Sequence, residues 1–177
     1  VINNRKIRVA IIGCGRISKN HFESIEKNNK DIELVSICDD DQSVLTVHAK
    51  KYNIKGYLDL ASMIENVDLD LVVICTPSGL HAEQTEMCSK KGINIMTEKP
   101  MATRWNDGIR MVKVCDQAGV RLFVVKQNRN NPTIKLLKRA IKENRFGKIH
   151  MVHLNVFWSR PQSYYDQATW RGTWEFD

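Results

Sequence analysis

The sequence predicts an α/β fold: a doubly wound parallel sheet, followed by the start of an α+β domain. Short apolar runs of strand length alternate with runs of helical spacing as far as Val125. Gly92 and Gly119 close two of the predicted helices, and the connections between elements are short. The run DLVVIC at Asp70–Cys75 is almost entirely apolar, which is typical of a strand covered on both faces.

The first part of the chain contains two strand–helix repeats. Lys6–Ile12 is predicted to be a short buried strand, and Ile17–Lys27 has helical spacing. Asp31–Cys38 is predicted to be the second strand, and helices are predicted at Gln42–Lys51 and Leu58–Asn66. The two strands are therefore expected to be parallel neighbours.

The same alternation continues after the apolar strand Asp70–Cys75. A helix is predicted at Leu80–Lys90, a strand at Ile93–Met96, a helix at Thr103–Ala118 and a last strand at Arg121–Val125. Parallel sheets of this kind bind ligands at the carboxyl ends of their strands. The residues that directly follow the strands are therefore the candidates for function.

The pattern changes after Lys126. A helix is predicted at Pro132–Asn144, with Pro in its first turn, and the alternating run Lys148–Trp158 is predicted to be a long strand of an antiparallel sheet. One helix and one strand cannot close a core of their own. Residues 1–126 are therefore expected to form one domain, and residues 127–177 the incomplete beginning of a second.

Composition is that of an ordinary soluble globular protein, with 42% hydrophobic and 27% charged residues among 177. No run of 18 apolar residues predicts a membrane span, and the first residues lack the layout of a signal peptide. The net charge is +7, but no basic helix is interleaved with aromatic residues, so nucleic acid is not the expected partner. Solvated helix faces explain most of the charge, and an anionic small substrate explains the rest.

The five cysteines are scattered, odd in number and mostly within or beside apolar runs. They are expected to be reduced, buried thiols of a cytoplasmic protein. His and Cys residues are not clustered, so no metal site is expected.

The first candidate site follows the first strand, where residues 13–18 read G-x-G-x-x-S. Gly13 permits a tight turn, and Gly15 lets a pyrophosphate approach the backbone at a helix N-terminus. Ser18 is small enough for close packing of that helix. A glycine turn without a ligand remains the alternative, because the pattern alone is weakly specific.

Two further candidates follow the next strands. Asp39 ends the second strand, where a carboxylate can bind both hydroxyls of an adenosine ribose and repel a 2′-phosphate, which favours NAD over NADP. Thr76 and Pro77 are expected to shape a loop over the cofactor. Considered alone, Asp39 is also explained as an ordinary acidic strand end, and His81 as a neutral structural histidine in the first turn of a helix.

The stretch Glu98-Lys99-Pro100 follows the strand at Ile93–Met96. Pro100 ends the strand ladder and fixes the backbone. Lys99 is then expected to point at the reacting end of the cofactor, where a lysine can orient a substrate hydroxyl or relay its proton. An exposed lysine in a salt bridge is the alternative for this residue considered alone.

The four segments GCGRIS, CDDD, CTPSGLH and TEKPMA occur in this order, each after a predicted strand. Together they resemble the signatures of the Gfo/Idh/MocA family of nicotinamide-dependent oxidoreductases. That family has an N-terminal Rossmann domain and a C-terminal domain with a large, mostly antiparallel sheet. The segments KQNR and WSRPQSYYD…WRGTWEFD are similar to one branch of it, the UDP-N-acetylglucuronate 3-dehydrogenases.

The resemblance implies roles for particular residues. Lys99 is the expected catalytic residue, and the bond before Pro100 is expected to be cis. The expected substrate contacts are Lys99, Arg160 and Tyr164. The expected NAD-binding residues are Gly13, Gly15, Arg16, Ile17, Asp39, Thr76, Pro77, His81, Glu98, Lys99, Gln127, Trp170 and Arg171.

The reaction implied by the resemblance is oxidation of the C3 hydroxyl of UDP-N-acetylglucuronate in the synthesis of lipopolysaccharide O-antigen sugars. Some members recycle their NAD with 2-oxoglutarate, and a homo-oligomer, a tetramer, is expected for the full-length protein. A second catalytic group, usually a histidine, is expected after Asp177, so this chain alone is expected to be inactive. The alternatives are another sugar or polyol as substrate, or an NAD-binding module without turnover.

Overall fold

A computed structural model describes residues 4–177 of the chain, and its centre is one parallel sheet. The strands are β1 Ile7–Ile12, β2 Ile32–Cys38, β3 Lys55–Tyr57, β4 Leu71–Ile74, β5 Asn94–Thr97 and β6 Leu122–Val124. Their spatial order is β3-β2-β1-β4-β5-β6, and every pairing is parallel. The predicted doubly wound parallel sheet is confirmed.

Helices connect the strands, and two further helices follow the sheet. The α-helices are α1 Ser18–Lys27, α2 Gln42–Tyr52, α3 Leu60–Asn66, α4 His81–Lys90, α5 Trp105–Ala118, α6 Pro132–Lys142 and α7 Gln162–Asp166. Short 3₁₀ helices lie at Ser78–Leu80 and Gln127–Asn130. Asp41 caps α2 by accepting hydrogen bonds from the backbone N–H groups of Ser43 and Val44, so this helix begins where the acidic run ends.

Helices cover both faces of the sheet. Successive residues of its central strand β1 point to opposite faces, so each face of β1 packs against a different set of helices. In β1, Val9 and Ile11 pack with residues of α1 and α2, including Phe22. Ala10 and Ile12 pack on the other face with residues of α3, α4 and α5. The order of the strands reverses between β1 and β4, and sheets of this kind bind ligands at the carboxyl ends of the strands where the order reverses.

The predicted long strand at Lys148–Trp158 is wrong for this chain. The structure assigns no strand to that segment, and apolar side chains such as Leu154 and Phe157 are more than four-fifths exposed. Alternating apolar residues indicate that one face of the segment would need burial. A strand nevertheless forms only when the backbone of another segment pairs with this one. Within residues 4–177 no segment pairs with this one.

The chain divides into two compact units. The first contains the sheet, with residues up to Val125 and the segment Gly172–Asp177, and the second is Lys126–Arg171. The assignment of residues 127–177 to a separate domain stays a prediction. None of the helices in residues 4–177 has the length and apolar character that a membrane crossing requires.

Candidate functional site

The turn after β1 is built around Gly13. Its φ is +81°, in the region where a side chain is strained, and its N–H donates to the Cys38 carbonyl oxygen at 2.8 Å. A Cβ at this position would lie 2.8 Å from the carbonyl carbon of Cys75 and from the backbone nitrogen of Thr76. Backbone atoms cannot rotate away, so only glycine lets the turn pass this close to the end of β4.

The start of α1 is open for a ligand. A Cβ added to Gly15 would meet no atom within 4 Å, so the space above this residue is free. The hydroxyl of Ser18 is fully buried and donates to the Gly15 carbonyl oxygen at 2.6 Å, which fixes the turn to the helix. Arg16 and Ile17 are exposed beside it, and no side chain caps the helix at Ile17. The first backbone N–H groups of α1 are therefore suited to bind an anion.

Asp39 lies beside this turn, at the end of β2. Its Oδ2 accepts the backbone N–H of Cys14 at 2.6 Å, and its Oδ1 accepts the backbone N–H of Asp41 at 3.0 Å. These bonds hold the carboxylate in one orientation. Each oxygen keeps a further lone pair, so the group can still accept hydrogen bonds from hydroxyl groups of a ligand.

The loop after β4 contains Thr76 and Pro77, both partly buried. The hydroxyl of Thr76 donates to Oε1 of Gln84 on α4 at 2.6 Å, and Pro77 precedes the 3₁₀ turn Ser78–Leu80. The backbone N–H of Gly79 in this turn donates to the carbonyl oxygen of Phe176 at 3.3 Å. The loop is therefore held by α4 on one side and by the last residues of the chain on the other.

His81 joins the loops after β4 and β5. Its ring is 1% exposed, with Nε2 3.0 Å from the Thr76 carbonyl oxygen and Nδ1 3.0 Å from the Pro100 carbonyl oxygen. Burial lowers the pKa of His81, against the opposing effect of these carbonyls. A neutral ring donates to only one of the two oxygens at a time. Because the ring is buried, His81 can influence cofactor binding only by holding the two loops that it joins. Its contribution to cofactor binding stays a prediction.

Glu98 and Lys99 follow β5 at the same edge of the sheet. The Glu98 side chain is buried, with Oε1 2.8 Å from Nε2 of His21 and Oε2 3.2 Å from the backbone nitrogen of Lys99, which donates to it. Burial raises the pKa of Glu98, but the hydrogen bonds and charges of His21 and Lys99 outweigh it, so the pKa lies below its usual value. Lys99 itself is exposed, and the Lys99–Pro100 bond is cis, as expected.

His21 is a site residue that the sequence did not reveal. It lies on α1, and its partner Glu98 is 77 positions further along the chain. The helical spacing indicates that His21 faces the sheet, because His21 is one turn after the buried Ser18 and adjacent to the buried Phe22. A histidine on the inward face of the helix that follows the glycine turn must find a polar partner there.

Three buried thiols lie around the same strand ends. Burial, with a smaller effect of the Asp39 charge, raises the pKa of Cys14 and of Cys38 to about 12. Burial also raises the pKa of Cys75, and all five cysteines are free. The thiols therefore stay protonated near neutral pH and pack as small apolar groups. Among the described residues, no three His, Cys, Asp or Glu side chains are arranged to hold a metal ion.

The second unit contains the remaining predicted site residues. The guanidinium of Arg160 lies 4.0 Å from the ring centre of Trp158 and 4.8 Å from that of Tyr164. The guanidinium of Arg171 lies 4.4 Å from the Tyr164 ring centre and 5.7 Å from that of Trp170. Two predicted residues, Arg160 and Arg171, thus both lie over the ring of a third, Tyr164, and Trp170 lies beside Arg171. Gln127 is exposed in the 3₁₀ helix at the start of this unit.

Comparison with known protein families and structures gives a consistent result. Residues 7–126 match the Gfo/Idh/MocA family, described as an oxidoreductase family with an NAD-binding Rossmann fold. The WlbA dehydrogenase of Chromobacterium violaceum, solved with NADH and UDP-GlcNAcA, is 55% identical with a TM-score of 0.96, over 99% of this chain and 51% of that one. The WlbA dehydrogenase of Bordetella pertussis, solved with the same two ligands, is 51% identical with a TM-score of 0.97, over 100% of this chain and 53% of that one.

More distant similarity extends to dehydrogenases of D-apiose and of myo-inositol. The D-apiose dehydrogenase of Paraburkholderia graminis is 31% identical over 88% of this chain and 40% of its own length. The myo-inositol 2-dehydrogenase of Thermotoga maritima is 30% identical over 84% of this chain and 44% of its own length. The chain therefore spans about half the length of the relatives it matches.

Proposed function

The chain belongs to the Gfo/Idh/MocA family of oxidoreductases, and from this we propose that the full-length protein is an NAD-dependent dehydrogenase that oxidises the C3 hydroxyl of UDP-N-acetylglucuronate. One observation carries the choice of substrate. The two WlbA dehydrogenases solved with UDP-GlcNAcA are far more similar to this chain than the inositol and apiose dehydrogenases are. Their similarity also includes the second unit, which lies outside the family match at residues 7–126.

The residues at the sheet edge fit a dinucleotide. The free space above Gly15 and the uncapped start of α1 suit a pyrophosphate, with Arg16 and Ile17 beside it. The oriented carboxylate of Asp39 suits the hydroxyls of the adenosine ribose and disfavours a 2′-phosphate, which favours NAD over NADP. Thr76, Pro77 and Glu98 follow the neighbouring strands, and Gln127, Trp170 and Arg171 stay predicted cofactor contacts.

The substrate carries a uronate and a diphosphate, so it needs cationic partners. Arg160 and Arg171 both lie over the Tyr164 ring, where stacking holds the planar guanidinium groups. Nη1 of Arg171 also donates to the Tyr164 carbonyl oxygen at 2.6 Å, which fixes this guanidinium further. Arg160 and Tyr164 are the proposed substrate contacts in this cluster. The net charge of +7 is consistent with an anionic substrate.

In the proposed reaction, the C3–H and O–H bonds of the substrate break, and C3 becomes a ketone. Bound NAD⁺ would be the acceptor of the hydride from C3. Lys99 orients the C3 oxygen, and the hydroxyl proton leaves to a general base, the second catalytic group that the family resemblance implies, which gives NADH, the 3-keto sugar and one proton. Lys99 is suited to this role because it is exposed at the carboxyl edge of the sheet, while its neighbour Glu98 is buried and held.

The proposal has further parts that rest on the same similarity. The product belongs to the synthesis of lipopolysaccharide O-antigen sugars, 2-oxoglutarate recycles the NADH, and the active assembly is a homo-oligomer. A cytoplasmic location fits five free, buried cysteines.

The test is a substrate comparison with the full-length protein and NAD⁺. We expect reduction of NAD⁺ with UDP-N-acetylglucuronate and little or none with myo-inositol or glucose. Comparable turnover of myo-inositol or glucose would indicate that the protein belongs to another branch of the family. Tight NAD⁺ binding without reduction by any of these compounds would indicate a binding module.

A further inference from the structure

His21 lies on the inner side of α1, between the glycine turn and the end of β5. Its side chain is 13% exposed and that of Glu98 is 9% exposed, so the pair is largely withdrawn from water. The helix places His21 one turn after Ser18, whose hydroxyl is bonded to the glycine turn. The position of His21 is therefore fixed by the element that forms the proposed pyrophosphate site.

The contacts of this pair form a short chain toward Lys99. Nε2 of His21 lies 2.8 Å from Oε1 of Glu98, and Oε2 of Glu98 accepts the backbone N–H of Lys99 at 3.2 Å. An ionised carboxylate only accepts hydrogen bonds, so His21 must donate to it through an N–H at Nε2. Both oxygens of Glu98 are then occupied, one by α1 and one by the backbone that carries Lys99.

We propose that His21 is a positioning residue, which orients Lys99 by holding the Glu98 carboxylate in place to accept the Lys99 backbone N–H. This inference rests on the proposed function, in which Lys99 orients the substrate hydroxyl. The backbone N–H of Glu98 already donates to the Ile74 carbonyl oxygen at 3.0 Å, so the residue before Lys99 is fixed by the sheet. The hydrogen bond from the Lys99 N–H to the Glu98 side chain fixes the backbone one residue further along, at Lys99, whose amine must point at the substrate.

Loss of His21 has a specific consequence in this arrangement. A buried carboxylate without its donor carries the cost of an unpaired charge, and it relieves this cost by turning toward water or by taking up a proton. Either change weakens the bond to the Lys99 N–H. The Lys99 side chain is exposed, so freedom in its backbone changes the direction of the amine. Misplacement of a reacting group by about 1 Å costs as much as roughly 100-fold in rate.

Three variants of the full-length protein separate positioning from general packing. His21→Leu removes the donor and keeps an apolar side chain, whereas His21→Gln keeps an N–H donor with similar reach to Glu98. Glu23→Ala is the matched control, an exposed position on the same helix. If His21→Leu does not fold, His21→Asn takes its place, because its side chain is polar but too short to reach Glu98.

Two readouts are measured for each variant. The first is hydrogen exchange of the Lys99 backbone amide, resolved to the single residue by mass spectrometry with fragmentation, which needs no substrate. The second is kcat and KM for oxidation of UDP-N-acetylglucuronate. In His21→Leu we expect the Lys99 amide to exchange about fivefold faster, as for the loss of one hydrogen bond. We expect kcat to fall roughly 10- to 100-fold with little change in KM, and His21→Gln to restore both.

The outcomes separate this inference from the proposed function. If the wild type does not oxidise the UDP-sugar but Lys99 exchange still responds to His21, the proposed function fails while the contact between His21, Glu98 and Lys99 stands. Unchanged Lys99 exchange in a folded His21→Leu protein would overturn the inference, whatever its activity. So would a change of equal size in Glu23→Ala, or a fall in kcat that His21→Gln does not rescue.

Discussion

Oδ2 of Asp39 accepts the backbone N–H of Cys14 at 2.6 Å, which joins the end of β2 to the glycine turn after β1. The bond places an ionisable oxygen pair directly beside the open start of α1. An adenosine ribose and a pyrophosphate need these two features at one edge of the sheet. This contact therefore connects the fold to the proposed cofactor site.

Asp39→Asn should weaken NAD⁺ binding and reduce the preference for NAD⁺ over NADP⁺. The amide loses the charge and one of the two oxygens that accept backbone N–H groups. Hydrogen bonds to a charged group are strong enough for this to change Kd roughly 10- to 100-fold. Titration calorimetry with both nucleotides measures the two affinities. Asp40→Asn is the control, because this neighbouring carboxylate is exposed. Equal effects of the two substitutions would remove Asp39 from the ribose site.

Gly13→Ala should lower the stability of the fold, whereas Gly15→Ala should weaken NAD⁺ binding and leave stability almost unchanged. A Cβ at Gly13 meets backbone atoms of Cys75 and Thr76 in a turn with positive φ, so we expect a loss of roughly 1–3 kcal/mol in the free energy of unfolding. A Cβ at Gly15 meets no atom, so stability should change by less than about 0.5 kcal/mol.

The Gly15→Ala methyl group nevertheless occupies the space proposed for the pyrophosphate, so NAD⁺ affinity should fall. Denaturant unfolding and nucleotide titration of both variants measure these effects. Unchanged NAD⁺ affinity in Gly15→Ala would contradict the proposed cofactor position.

His81 should make the protein less stable as the pH falls from about 7 toward 5. The pKa of His81 is lowered by burial, so the unfolded chain binds a proton near its ordinary pKa of about 6.5 while the folded chain does not yet. Stability contributed by the neutral ring is therefore present above this pH and is lost below it. Glu98, whose pKa is also lowered, adds a loss of stability only below about 4.5, its ordinary value.

Unfolding free energies of the wild type, His81→Gln and His153→Gln across this pH range test the effect. His153 is exposed and is the matched control. We expect the slope to flatten only in His81→Gln. The same slope in all three proteins would contradict a buried neutral His81.

Gly79→Ala should release the last residues of the chain from the loop after β4. A Cβ on Gly79 would overlap the Glu175 carbonyl oxygen, and the bond from the Gly79 N–H to the Phe176 carbonyl oxygen would be lost. Backbone hydrogen exchange over residues 172–177 in the full-length protein should accelerate. Gly108→Ala is the control, since its added Cβ would have no neighbour closer than 4.0 Å. Unchanged exchange over residues 172–177 in Gly79→Ala would show that this contact does not hold the segment.

The sequence predicts five of the six strands of the sheet, because their patterns are local. The first strand was predicted at Lys6–Ile12 and is found at Ile7–Ile12, and the helix predicted at Gln42–Lys51 is found at Gln42–Tyr52. Strand β3, Lys55–Tyr57, was missed because three residues contain too little pattern. It is defined by its pairing with β2, which brings Ser36 Oγ within 2.9 Å of the Lys55 carbonyl oxygen.

The site was less predictable than the fold, because its contacts join distant parts of the chain. Strand ends placed Asp39 and Glu98 at the carboxyl edge correctly, since topology alone decides this. The pair His21–Glu98 and the two carbonyls around His81 depend on how α1 and α4 pack against the sheet. The predicted strand Lys148–Trp158 failed for a related reason, since its pattern could not supply a pairing partner.

In the proposed reaction Lys99 acts on a UDP-uronate with NAD⁺, and single-turnover hydride transfer tests this role most directly. Full-length wild type and Lys99→Met are each mixed with NAD⁺ and UDP-N-acetylglucuronate, and the absorbance of the reduced nicotinamide is followed. We predict that the wild type forms NADH and that Lys99→Met slows this step by roughly 100-fold or more while NAD⁺ affinity is kept. Absence of NADH in the wild type, or a near-normal rate in Lys99→Met, would contradict the account.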